Sequence, residues 1–204
     1  MKTSIAFIGF LAGLACGVAN AADVPNKAER MAMTWCGECH GRDGNSISPQ
    51  FPKLAGQKSK FLEAQMKAMR DRVLNDQDSQ DYMWGPAHNL DDETIKVIAK
   101  YFSKQKISSG GIANPAAVAK GKQIYEFKPA NGDSCADCHG LDAEGGQNEP
   151  RLAGQHSHYL IKQIYLVQAK KRPATEKMLA SVGRLSPDEI EALAEYLQSV
   201  VATK

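Results

Sequence analysis

The plainest pattern of apolar and polar positions lies near the end of each half of the chain. Ile95, Ile98, Ala99 and Phe102 recur at i, i+3, i+4 and i+7, and Ile190, Leu193, Ala194 and Leu197 do the same. This spacing places four apolar side chains on one helical stripe. Each stripe has a start signal. Asp91 precedes the first as an N-cap, and Ser186-Pro187-Asp188-Glu189 precedes the second as a capping box with proline at the first helical position. A central helix is predicted in each half by Phe61, Leu62, Met66 and Met69 and by Tyr159, Leu160, Ile164 and Val167. A first helix over residues 27–39 runs into a cysteine pair, and Asn114 with Pro115 opens its counterpart as N-cap and first helical residue. No stretch shows convincing strand alternation. Residues 103–114, with Ser108-Ser109-Gly110-Gly111, have linker composition.

These helices belong to a longer internal repeat. Pro52-Lys53-Leu54-Ala55-Gly56-Gln57 matches Pro150-Arg151-Leu152-Ala153-Gly154-Gln155. Phe61-Leu62 and Gln65 match Tyr159-Leu160 and Gln163, and Leu90 matches Leu185. The expected architecture is all-α, with two tandem units over residues 22–108 and 109–204. Each unit has fewer than 100 residues, so a protein-only core is marginal.

Residues 1–21 read as a secretory signal: Lys2, a mostly apolar run from Ile5 to Val18, and the small-residue site Ala19-Asn20-Ala21. The run is short for a membrane span. Cys16 lies inside it and is either removed with the signal or is a lipid acceptor behind Leu14-Ala15. Removal leaves four cysteines, all in two short motifs, and none for a structural disulfide. The chain holds 25 Lys and Arg against 23 Asp and Glu, so no polyanion-binding surface and no nucleic-acid partner is indicated. Lys170-Lys171-Arg172 is the one basic triplet, read as a solvated helix end.

The two motifs are Cys36-Gly37-Glu38-Cys39-His40 and Cys135-Ala136-Asp137-Cys138-His139. Cys-x-x-Cys-His is the attachment signature of a c-type haem. The cysteines form thioethers with the haem vinyl groups and the adjacent histidine binds the iron. A zinc or thiol-redox reading of Cys-x-x-Cys meets a histidine directly after the second cysteine in both copies, a signal segment, and no further cysteine for a zinc shell. Two covalent haem c groups are therefore expected, with His40 and His139 as proximal iron ligands.

The sixth iron ligands lie outside the motifs. Met83 precedes Leu90 by seven positions, and Met178 precedes Leu185 by seven. No other methionine recurs in register: Met66 aligns with Ile164 and Met69 with Val167. Met83 and Met178 are thus the expected ligands, with His88 as the rival. A thioether is a soft ligand that favours ferrous iron. Two strong axial ligands leave no open position for substrate, which suits electron transfer. Pro52 and Pro150 are either turn prolines or carbonyl acceptors for the proximal histidine N–H. Trp35 and Trp84, beside Cys36 and Met83, pack on a haem or fill core.

On both Cys-x-x-Cys-His-Gly runs, both Pro-x-Leu-Ala-Gly-Gln runs, both methionines and both final helices, the chain resembles the cytochrome c4 family. The resemblance covers nearly all of the chain after the signal. It implies two cytochrome c domains related by a pseudo-twofold axis, with haems near one another and His/Met ligation at both irons. It further implies a periplasmic electron carrier, not an enzyme. Its donors would be a quinol-oxidising cytochrome complex or another periplasmic donor, and its acceptor a terminal oxidase. Peripheral membrane association and a monomer or weak dimer fit the same picture. Tyr82-Met83-Trp84-Gly85-Pro86 departs from the usual context of the methionine. Two alternatives stand: a haem subunit of a flavocytochrome that oxidises sulfide, and a dihaem peroxidase, which needs one exchangeable sixth position.

Overall fold

The computed structural model describes residues 25–108, 110–111, 114–130, 132–146 and 148–201. The signal segment, Cys16 and the expected unit boundary at residue 109 lie outside the described residues. All regular structure among the described residues is helical.

The first unit opens on α1 (Lys27–Met31), capped by a reciprocal Asn26–Glu29 box. The helix continues through one π turn, Ala32–Cys36, into α2 (Gly37–His40). The helix expected over residues 27–39 is present but holds an i→i+5 turn, and it ends at His40. Gly41, at φ +80°, turns the chain out of it. The second unit differs. Here α6 (Pro115–Glu126) stops well short of the motif, and α7 (Cys135–His139) starts afresh on its own Ser134–Asp137 box. Pro129 explains the break, because it lacks an N–H and pushes Lys128 away from helical angles.

The central helices are α3 (Ser59–Arg70) and α8 (Ser157–Gln168), and the final ones α5 (Asp92–Ser103) and α10 (Pro187–Ser199). Between them lie a π turn, Ser79–Met83, with α4 (Trp84–Ala87) in one unit and α9 (Glu176–Gly183) in the other. Asp91 and Ser186 cap the final helices as their sequences require. The stripes point inward: Ile95, Ile98, Ala99 and Phe102 are buried, as are Ile190, Leu193, Ala194 and Leu197. First and final helices cross closely. A Cβ on Gly121 of α6 would fall 2.0 Å from the Ala192 carbonyl oxygen of α10, so the two backbones touch there.

The units pack through a reciprocal set of bonds. Lys53 N–H donates to Gln155 Oε1 and Arg151 N–H donates to Gln57 Oε1, both at 2.8 Å. Gln155 Nε2 returns a bond to the Lys53 carbonyl at 3.0 Å, and Gln57 Nε2 returns one to the Arg151 carbonyl at 2.9 Å. Equivalent residues exchanging equivalent bonds are the mark of a twofold interface. Lys162 to Asp78 and Arg172 to Gln65 add contacts between the units. Arg172 is therefore not merely solvated, although Lys170 and Lys171 are exposed. The linker is fastened as well: Ile107 lies against both Gly56 and its repeat equivalent Gly154, and Ser108 N–H donates to Asn45 at 2.8 Å.

One interface bond carries a pH dependence. His156 Nε2 meets the Ser46 carbonyl at 2.9 Å. Burial holds its pKa below the ordinary 6.5; the Ser46 bond opposes this, and repulsion from Lys53 and His158 adds to it. The unfolded ring therefore takes a proton more readily than the folded one. The contribution is complete above the unfolded pKa of about 6.5 and is lost as pH falls through the lower folded value. Thermal melts should show stability dropping from pH 7 to pH 5, with a shallower drop in His156→Gln. An equal slope in both proteins would remove His156 from the account.

Candidate functional site

Each Cys-x-x-Cys-His segment ends one helix and is held from below by a short loop. In the first unit, Leu54 and Ala55 N–H groups both donate to the Gly44 carbonyl, at 2.7 and 3.0 Å. In the second, Leu152 and Ala153 donate to Ala143 at 2.8 and 3.0 Å. This staple brings the proline of Pro-x-Leu-Ala-Gly-Gln over the histidine. His40 Nδ1 lies 3.0 Å from the Pro52 carbonyl, and His139 Nδ1 lies 3.0 Å from the Pro150 carbonyl. The carbonyl can only accept, so Nδ1 carries the proton and the Nε2 lone pair is left for a metal. Of the two readings of these prolines, the carbonyl acceptor is the one present.

Burial pushes the pKa of both histidines down, against the proline bonds, which favours the neutral ligand form. Burial also pushes the Cys36 thiol up to about 11 and raises Cys135. A reactive thiol-redox cysteine shows the opposite, a lowered pKa that supplies thiolate. No group of three or more His, Cys, Asp or Glu side chains that could hold a metal ion occurs among the described residues. Cys36 and Cys135 are half-buried, while Cys39 and Cys138 are exposed. A glycine follows each histidine at positive φ. The Gly140 carbonyl takes the Tyr125 hydroxyl at 2.6 Å, and a Cβ on Gly41 would press on Asn45 backbone at 3.0 Å.

Met83 closes the π turn, half-buried. A chain of rings leads from it to the first motif: Tyr82 meets Phe51 edge-on at 5.5 Å, and Phe51 meets His40 at 6.1 Å. Met178 sits in the first turn of α9, where Thr175 caps its N–H at 3.2 Å, and packs with Cys135 on one apolar cluster. An open groove of about 910 Å³ runs between the units, lined by Gln77, Gln80 and Val73 on one side and Leu166, Pro173 and Leu179 on the other. It places the segments leading to both methionines at the same interface. His88 is exposed at the end of α4. Trp35 is 64 % exposed and so does not fill core. Trp84 is half-buried, donates Nε1–H to the Leu74 carbonyl at 2.8 Å and lies 5.1 Å beneath the Arg72 guanidinium.

The donor set fits haem, and a buried cation fits its carboxylates. Arg151 is 2 % exposed, yet its guanidinium meets carbonyls of Ala153 and Lys53 and no carboxylate, and its Nε has no partner among the described residues. Burying a cation without an anion is costly, and a haem propionate is an anion of suitable chemistry. Arg151 and the two buried glutamines beside it were not singled out from the sequence. The signal was available: a charged residue and a glutamine stand at matched places in both copies of an otherwise apolar motif.

The sequence profile of the family described as Cytochrome c matches the chain twice, over residues 26–106 and 118–201. Cytochrome c-552 of Acidithiobacillus ferridurans is 34% identical over 98% of this chain and 88% of its own. Cytochrome c4 of Pseudomonas aeruginosa is 36% identical over 90% of this chain and 92% of its own. The solved cytochrome c4 of Acidithiobacillus ferrooxidans superposes with a TM-score of 0.74 at 35% identity, covering 80% of this chain and 98% of that one. With two helical units, two attachment motifs and this kinship, the chain belongs to the cytochrome c family as a dihaem, electron-transferring member of the cytochrome c4 type, carrying two covalent haem c groups.

Proposed function

We propose that the chain is a periplasmic carrier of single electrons from a quinol-oxidising cytochrome complex or another periplasmic donor to a terminal oxidase. Cys36 and Cys39 attach one haem and Cys135 and Cys138 the other. His40 and Met83 ligate the first iron, and His139 and Met178 the second. Each haem, when bound, supplies an iron centre that gains and loses one electron. The protein's part is to hold both irons in fixed ligand shells, keep the histidine tautomers constant and bring the two sites together.

The observation that supports this best is the repeated histidine-to-proline bond at 3.0 Å in two units that each hold a methionine at the same register. Fixed ligation keeps the geometry change on electron transfer small. The sequence pattern of residues 1–21 supports export, and no helix among the described residues is long and apolar enough to cross a membrane. A subunit of a cbb3-type cytochrome c oxidase of Helicobacter pylori is a relative at 26% identity over 82% of this chain, which supports an oxidase partner. A thiosulfate dehydrogenase electron acceptor of Thiomonas intermedia is 32% identical over 63% of this chain. That relative favours a second donor reading, an enzyme that oxidises reduced sulfur compounds.

The reduced holoprotein, mixed with oxidase-containing membranes, should be reoxidised in one-electron steps at a rate proportional to membrane concentration. Reoxidation no faster than in buffer would overturn the oxidase assignment. Reduction of the oxidised protein by a thiosulfate-oxidising extract, and not by quinol-reduced membranes, would select the second donor.

A further inference from the structure

The peptide groups that support the two proximal histidines are each completed by the other unit. The Pro52 carbonyl, which takes the His40 Nδ1–H at 3.0 Å, belongs to the same peptide group as the Lys53 N–H, which donates to Gln155 Oε1 at 2.8 Å. The Pro150 carbonyl, which takes the His139 Nδ1–H at 3.0 Å, belongs to the same peptide group as the Arg151 N–H, which donates to Gln57 Oε1 at 2.8 Å. Both glutamines are buried, at 5% exposure for Gln57 and 3% for Gln155. Each oxygen takes a second N–H, from Lys58 and His156, and each Nε2 returns to the partner segment's carbonyl. The amides are thus locked in orientation.

We propose that each domain tunes the iron of the other: Gln155 acts as a positioning residue for His40, and Gln57 for His139. The proposal rests on the reading of both histidines as iron ligands. A peptide is a conjugated unit, so an acceptor on its N–H moves electron density onto its carbonyl oxygen. Bonds in such a chain polarise one another, more strongly where water is excluded. A richer carbonyl draws the histidine N–H harder and makes the ring a stronger donor. A stronger donor stabilises ferric iron and lowers the potential. The exchange is crossed, so loosening the interface weakens the support of both irons together.

The test is spectroelectrochemistry of the holoprotein carrying Gln155→Leu or Gln57→Leu, with the two haems told apart in a Met83→His background. Gln155→Leu should raise the potential of the N-terminal haem by about 30 mV, a threefold change at 59 mV per tenfold for one electron, and move the C-terminal haem much less. Gln57→Leu should do the mirror image. Gln→Glu keeps the acceptor oxygen and makes it richer, so it should shift the same haem downward; it carries the test if leucine prevents folding. Each variant moving the haem of its own unit, both haems moving equally, or neither moving would overturn the proposal. Proton spectra separate the two levels. If neither histidine ring in the wild type shows iron-shifted resonances, the ligand reading fails; if both do and the variants leave the Nδ1–H signals in place, the tuning alone fails.

Discussion

Met83→His lowers the midpoint potential of one haem by on the order of 0.2 V, part of the ~0.8 V that axial ligands span, and leaves the other nearly unchanged. A thioether is soft and favours ferrous iron, whereas imidazole is a stronger donor that stabilises ferric iron. The change is local because Met83 sits in a segment tied at its own level. Ser79 Oγ bonds Asp76 at 2.6 Å, and Trp84 is fixed between the Leu74 carbonyl and the Arg72 guanidinium. The second unit has Leu179 where the first has Trp84, so the two methionine segments are built differently and a single substitution reports one of them. The check is an optical redox titration that follows the thioether-to-iron band at the red edge of the visible spectrum. Half of that band should vanish in Met83→His and the other half should persist. Full retention of the band, with both potentials unmoved, removes Met83 from the iron.

Phe102→Ala costs the N-terminal unit about 3–5 kcal/mol, the range for deleting a fully buried aromatic side chain. Phe102 is 1% exposed and lies in a cluster of five buried residues, against thirteen in the corresponding cluster of the C-terminal unit. Losing one member of the smaller set removes a larger share of the apolar burial. The ring also fills the space beside Gly44, where a Cβ would come within 2.8 Å of it, so its loss undercuts the loop whose carbonyl staples Leu54 and Ala55. Denaturant unfolding followed by far-UV circular dichroism and by the haem absorption should become biphasic, with the N-terminal unit melting first. A single transition displaced by under about 1 kcal/mol would show that covalent haem, rather than this ring, supports that core.

Much of the fold was legible because it is written in local rules. The i, i+3, i+4, i+7 stripes, the caps at Asp91, Asn114 and Ser186, and the matched motifs need only neighbouring residues to be read. The helix breaks were less so. The π turn over Ala32–Cys36 leaves no mark in apolar periodicity, since a segment of five residues holds too few apolar positions to register a change of period. The stop of α6 at Glu126 is written in Pro129, a break the first unit does not share. Of the proposed ligands, the cysteines and histidines are read from a local motif and the methionines from register in the repeat. Trp35 illustrates the opposite case: of the two readings of this aromatic, core filling fails, since it stands 64 % exposed.

The two haem-attachment motifs, the helical class, the duplication and the matched methionines are legible in the chain, because each is a relation between residues close in sequence or paired by the repeat. Tertiary structure alone decided which unit completes which peptide group. Gln57 and Gln155 look like two identical marks in two copies of one motif, and either could have bonded within its own unit. Their amides instead reach across the twofold interface, because Lys53 and Arg151 N–H groups are withdrawn from water there and need an acceptor that the neighbouring unit provides.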